Sequence, residues 1–285
     1  MKQIVIISGK GGTGKTMLTG AFAALAENKV LADCDVDAAN LHLLLHPSIK
    51  ENHPFKSGFS AVIDPKLCTS CGQCAAVCRF DAASPTFIVD PVACEGCSLC
   101  ARVCPSKAIR MKENTAGEWF ISETRYGSFV HAKLGIAEEN SGKLVTKVRQ
   151  TAKELAETQG ADFVIVDGPP GIGCPVIASL SGINLAVIVT EPTISGIHDV
   201  ERVIELTEHF DIRACLVINK WDLNPSISKQ IKTFCTSRNV PLVGEISFDR
   251  TILESVISKK TAPEHVDAGL RKEFVKIWEA VRSNL

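Results

Sequence analysis

With 285 residues the chain can hold one large α/β domain and a smaller insert. Its 31 Lys and Arg against 32 Asp and Glu argue against a bulk nucleic-acid binder, which would be basic. No apolar run reaches transmembrane length, and the start lacks the basic region, apolar core and cleavage site of a secretory signal, so the expectation is a cytoplasmic protein with no nucleic-acid or membrane contact.

Residues 4–7 read as a buried strand and 15–27 as a helix. Between them Gly9, Lys10, Gly11, Gly12, Thr13, Gly14, Lys15 and Thr16 satisfy the G-x4-G-K-[ST] pattern, in the strand-to-helix context that the motif requires. Backbone N–H groups of such a loop close around phosphate oxygens, and the helix N-terminus adds its positive dipole end. Lys15 is then expected to reach the β- and γ-phosphates, and the Thr16 hydroxyl to bind Mg2+. A second strand follows at 30–32. Next come Asp33, Cys34, Asp35, Val36 and Asp37, and a predicted helix over 38–45.

Residues 60–112 read as an insert. They carry the spacing Cys-x2-Cys-x2-Cys-x3-Cys twice, as Cys68, Cys71, Cys74, Cys78 and as Cys94, Cys97, Cys100, Cys104. Eight thiolates at this spacing suit two [4Fe–4S] clusters, and in two-cluster ferredoxins the fourth cysteine of each run ligates the other cluster. That pattern assigns Cys68, Cys71, Cys74 and Cys104 to one cluster, and Cys94, Cys97, Cys100 and Cys78 to the other. Zinc ribbons, which close with two pairs of ligands, fit the triple runs poorly. Disulfides need an oxidising compartment. Pro105 follows the second run as expected, whereas Arg79 stands in the matching place of the first. Residues 62–65 and 89–91 precede the two runs as a pseudo-repeat. Such a small unit is expected to draw much of its folding free energy from ligation.

After the insert, a helix near 143–158 leads to a strand at 163–166. Asp167-Gly168-Pro169-Pro170-Gly171-Ile172-Gly173 closes that strand. Further strands are predicted at 185–189, 214–218 and 242–246, separated by helical patterns such as 200–210 and 227–238. Apolar strands alternating with helices imply a parallel sheet covered on both faces, with ligands beyond the strand carboxyl ends. Asn219-Lys220-Trp221-Asp222 follows one of these strands. Outside the insert, Cys215 and Cys235 read as small buried hydrophobes, and Cys34 has no assigned role. Leu270, Phe274, Ile277, Trp278, Val281 and Leu285 form a helical apolar stripe, better suited to packing on the sheet than to a membrane.

The stretch from Lys10 to Thr16 resembles the deviant Walker A motif of the MinD/ParA/Mrp ATPases and the nitrogenase iron protein. The resemblance covers nearly the whole chain outside the insert. It implies a doubly wound, mostly parallel α/β fold of the P-loop NTPase SIMIBI type, discontinuous over 1–59 and 113–285, with a small α+β ferredoxin-like domain at 60–112. In that group the early lysine, here Lys10, contacts nucleotide across a dimer interface, so a homodimer on ATP binding is implied. Asp35 matches the switch aspartate that orients the attacking water near Mg2+, with Asp33 and Asp37 as alternatives or helix caps. Asp167 matches the Walker B aspartate that holds Mg2+ through water, and Asn219 the asparagine that contacts adenine, with residues 241–249 as the other wall of the base pocket. Asp222 keeps GTP open beside ATP. Cys174 stands seven residues after Asp167, where the nitrogenase iron protein has a ligand of an intersubunit cluster, but residues 138–143 lack the second cysteine such a cluster needs. The expected cofactors are Mg-ATP and two [4Fe–4S] clusters. The leading expectation is an ATPase that gates electron transfer to an unidentified redox partner. An Fe–S carrier of the Mrp type, with an Fe–S acceptor as partner, and a positioning ATPase with structural clusters stand beside it.

Overall fold

The computed structural model of the protein describes residues 1–135 and 141–285. In chain order its elements are β1 (Lys2–Ser8), α1 (Lys15–Leu25), β2 (Lys29–Asp33), α2 (His42–Leu45), β3 (Ser48–Ile63), α3 (Gln73–Ala76), α4 (Leu99–Val103), β4 (Ile109–Thr124) and β5 (Gly127–Leu134). They continue with α5 (Ser141–Gln159), β6 (Phe163–Pro170), α6 (Cys174–Leu180), β7 (Leu185–Thr190), α7 (Ile194–His209), β8 (Ala214–Asn219), α8 (Pro225–Ser237), β9 (Leu242–Ile246), α9 (Arg250–Ile257), α10 (Ala262–His265) and α11 (Ala268–Ser283).

The chain divides into two compact units. The first comprises Met1–Asn52, Trp119–Lys133 and Ser141–Leu285; the second comprises His53–Glu118 with Leu134 and Gly135. The sequence-based boundaries at 60 and 112 fall inside the span of the second. β3 and β4 are the strands along which the chain passes from one unit to the other and back.

The strand order is β3-β4-β5-β2-β6-β1-β7-β8-β9. Pairing is parallel at β5–β2, β2–β6, β6–β1, β1–β7, β7–β8 and β8–β9. Ile4–Ile7 and Leu185–Val189 are almost wholly buried, as expected of strands covered on both faces. β1 lies between β6 and β7, and chain order reverses across it, which places the loop after β1 at a topological switch point. The register pairs Asp33 with Asp167 and Ile6 with Asp167, so the carboxyl ends of β2, β6 and β1 bring three sequence motifs to one edge.

The C-terminal stripe belongs to the core of this unit. Leu270, Phe274, Ile277, Trp278 and Val281 are buried, with Trp278 against Phe22 (centroids 5.1 Å apart) and Phe163 (5.5 Å). Among the described residues no helix is long and apolar enough to cross a membrane.

Two local expectations are corrected. The helix read over 38–45 is reduced to α2, because Asp33 accepts the backbone N–H groups of Asp35 (3.1 Å) and Leu41 (3.2 Å) and holds the intervening segment as a loop. A short acidic side chain here competes for backbone donors that a helix would use. The second concerns the chain between α2 and α5, where β3, β4 and β5 form strands longer than or beyond those expected; β3 is largely exposed and β4 is mostly half-buried or buried.

Candidate functional site

The site grows from β1. Ser8, fully buried at its end, donates its hydroxyl to the Lys10 carbonyl (2.6 Å) and starts the turn. Gly9 passes so close to α7 that a Cβ there would stand 2.9 Å from Asp199 Cα. Gly14 caps α1 with φ 101°, a left-handed conformation that favours glycine, and a Cβ on it would collide with Asn219. The Asn219 side chain uses this space: its Nδ2 donates to the Thr13 carbonyl (2.8 Å), tying the end of β8 to the loop. Thr13 is itself buried, and its hydroxyl has no partner among the described residues.

Lys15 is only 5% exposed, at the start of α1. The next residue, Thr16, donates its hydroxyl to Asp167 Oδ2 (2.7 Å), and one turn on Thr19 donates to Asp167 Oδ1 (2.9 Å). Asp167 is fully buried at the end of β6, and burial pushes its carboxyl up to about 6 against the pull of Thr16, Lys15 and Thr19. Asp33 is equally buried and is pushed well above the usual range by burial and then by Asp167. Asp35 is half-buried; burial raises its carboxyl, opposed by Lys15.

Gly11, Gly12, Gly14, Lys15, Thr16 and Asp35 line one cavity of about 610 Å3, within the size range of small-molecule sites. Of the three acids after β2, Asp35 is therefore the one on the cavity, while Asp33 serves the loop and Asp37 is exposed. Gly12 and Gly14 also border a cavity of about 300 Å3 with Asn219, Ser247, Phe248 and Asp249, so part of the 241–249 segment does face Asn219. Asp222 is engaged elsewhere: its Oδ1 accepts the Phe248 N–H (2.7 Å). Lys10 turns away from the loop, its Nζ lying 3.2 Å from both Thr193 Oγ1 and Ser195 Oγ. Thr193 caps α7 at the same time by accepting the Gly196 N–H.

Sequence reasoning missed Thr19, Thr193, Ser195 and Asp199. Thr19 had a signal, since it lies three residues after Thr16 on one face of α1. The other three come from a distant helix and had none.

In the second unit the eight cysteines fall into two sets. Cys68, Cys71, Cys74 and Cys104 line one cavity; Cys78, Cys94, Cys97 and Cys100 line another. Each set takes three cysteines from one run and the fourth from the other. Among the described residues no three His, Cys, Asp or Glu side chains converge tightly enough to hold a single metal ion. A [4Fe–4S] cluster takes four cysteine thiolates, the number and kind of side chain that each cavity presents. Of the other cysteines, Cys34, Cys215 and Cys235 are buried and Cys174 is exposed at the start of α6. Part of the 138–143 segment weighed with Cys174 lies outside the described residues.

A glycine-rich loop between a central parallel strand and a helix, with a buried acid on the neighbouring strand held by the first turns of that helix, defines a P-loop nucleotide-binding protein. Residues 4–262 match the model described as the CobQ/CobB/MinD/ParA nucleotide binding domain, and the chain belongs to that family. It is 35% identical over 237 residues to the uncharacterized protein MJ0578 of Methanocaldococcus jannaschii, covering 81% of this chain and 82% of the relative. It is 27% identical over 263 residues to the septum site-determining protein MinD of a Synechocystis strain, covering 88% and 78%. The fold is that of the cell division ATPase MinD of Pyrococcus furiosus (TM-score 0.58, 21% identity, 100% and 99% covered) and of MinD complexed with Mg-ADP from Pyrococcus horikoshii (TM-score 0.60, 19% identity, 98% and 95% covered).

Proposed function

We propose that the chain is a Mg-ATP-hydrolysing protein of the cytoplasm whose nucleotide state governs electron transfer through two [4Fe–4S] clusters in its second unit. The observation that carries the redox part is the sorting of eight cysteines into two cavity-lining sets of four, each crossed between the two runs. When bound, the clusters supply one-electron redox chemistry. Cys68, Cys71, Cys74 and Cys104 would hold one, and Cys78, Cys94, Cys97 and Cys100 the other.

In the first unit the loop from Gly9 to Thr16 would wrap the phosphates, with the Lys15 ammonium against the β- and γ-phosphates. The Thr16 hydroxyl and the Asp167 carboxylate, already joined at 2.7 Å, would hold Mg2+. Asp35, on the same cavity, would accept a hydrogen bond from the attacking water and orient it. The Asn219 Nδ2 is committed to Thr13, which leaves its Oδ1 to accept from the exocyclic amine of adenine. Asp222 accepts the Phe248 N–H on Oδ1 and keeps Oδ2 to accept from a base, so GTP stays open beside ATP. Lys10 would leave Thr193 and Ser195 to reach nucleotide in a second copy, giving an ATP-dependent homodimer that hands electrons to a separate acceptor protein.

The test is an anaerobic redox titration of the purified chain with and without Mg-ATP, alongside iron analysis. A potential shift with nucleotide, at about eight irons per chain, supports the proposal. Loss of iron to an apo-acceptor would point instead to a cluster carrier. The MinD relatives favour a third reading, a positioning ATPase, which is the outcome if neither potential nor iron content responds.

A further inference from the structure

The two cysteine runs are repeats in structure as well as in spacing. Each position of the second lies 26 residues after its counterpart in the first, as Cys94 follows Cys68 and Cys104 follows Cys78. Left-handed residues recur at the same offset: Ser70 and Gly96, Gly72 and Ser98, Asp81 and Lys107. The Ala108 N–H lies 3.3 Å from Cys104 Sγ.

Among the positions where the two runs differ, one lies beside the fourth cysteine. The Ser106 hydroxyl lies 3.6 Å from Cys104 Sγ, and its counterpart near Cys78 is Phe80. Toward a thiolate the hydroxyl is the only possible donor of this pair. The cavity walls themselves do not separate the two sets. Both mix polar and apolar side chains: Thr69, Gln73 and Ser106 with Ile63, Phe87 and Ile109 border the Cys104 set, and Glu95 and Ser98 with Val77, Phe80 and Leu99 border the Cys78 set. The Cys78 set has one further backbone donor, from Ala61 to Cys94 Sγ at 3.4 Å.

A hydrogen bond to a ligating sulfur withdraws electron density and favours the reduced, more negative state, so it raises the reduction potential. We propose that Ser106 is a positioning residue that, through Cys104, raises the potential of the centre on Cys68, Cys71, Cys74 and Cys104, so that the two centres of the unit are inequivalent. The proposal rests on the reading that this unit binds two clusters. Reduction adds one electron to each centre and needs an external low-potential donor, which dithionite supplies in the assay.

The experiment is an anaerobic titration of the full chain followed by electron paramagnetic resonance, with iron and labile sulfide counted on each sample. Two midpoints are expected. Ser106→Ala should lower one and leave the other unmoved, Ser106→Thr should restore it, and Phe80→Ser should raise the other. Iron retained at about eight per chain with both midpoints unmoved in Ser106→Ala overturns the role of Ser106 and leaves the cluster reading intact. A Ser106→Ala shift that Ser106→Thr fails to restore, or that Phe80→Ser repeats at the same midpoint, overturns it equally. A wild-type chain that takes up no iron on anaerobic reconstitution overturns the cluster reading first.

Discussion

Asp167→Asn should stabilise the nucleotide-free protein while abolishing hydrolysis. The wild-type carboxyl is fully buried beside the equally buried Asp33, and its pKa rises from 3.8 to about 6. At about 1.36 kcal/mol per pH unit, keeping it ionised in the native state costs about 3 kcal/mol at pH 8. Because the native pKa lies above the unfolded one, the folded state holds this proton more tightly. The resulting stability is complete below about pH 4 and is lost as pH rises through about 6. Asparagine carries no charge to bury, can accept from Thr16 or Thr19, and removes the repulsion felt by Asp33. Its advantage should therefore be about 3 kcal/mol at pH 8 and about half that at pH 5. The assay is denaturant unfolding of both proteins in EDTA, without nucleotide, from pH 8 to pH 5. A variant less stable than wild type at pH 8, or a difference that does not shrink toward pH 5, would refute this account of the buried acid pair. Loss of hydrolysis follows if Asp167 holds the metal with Thr16.

Asn219→Ala leaves the buried Thr13 carbonyl without its donor; it should cost about 1–3 kcal/mol of stability and weaken nucleotide binding about tenfold in calorimetry. Unchanged affinity would show that the loop holds its shape without β8. Lys10→Ala removes two contacts to hydroxyls on the α7 turn and should leave nucleotide binding intact while ending ATP-dependent self-association in sedimentation. Continued self-association would refute the cross-subunit role of Lys10. Trp278→Ala opens a cavity against Phe22 and Phe163 and should cost about 3–5 kcal/mol in urea unfolding; a near-neutral result would mean that α11 is not part of the core.

The features legible in the sequence are those whose chemistry sits within one short stretch. The glycines and Lys15 of the phosphate loop lie within eight residues, as a single strand-to-helix turn requires. Each cysteine run is equally local, because one loop wraps one corner of a cluster. The buried strands announce themselves by continuous apolar runs, and the stripe on α11 by helical spacing. β3 gave no such signal, since a largely exposed strand needs neither alternation nor apolar content. Among Asp33, Asp35 and Asp37 the family resemblance singled out Asp35, whereas residue type alone did not, because three neighbouring acids differ only in what surrounds them.

By itself, then, the sequence determined the class of protein, the phosphate loop and the eight cysteines, because each depends on residue type and local spacing. Tertiary structure alone decided which acid faces the cavity, which side chains hold Asp167, where Lys10 rests and what distinguishes Cys104 from Cys78. The physical reason is that burial, charge repulsion and hydrogen bonding act between neighbours in space. Asp33 and Asp167 are 134 positions apart in the chain and adjacent in the sheet register, and no pattern along the sequence records that Asp167 raises the affinity of Asp33 for a proton.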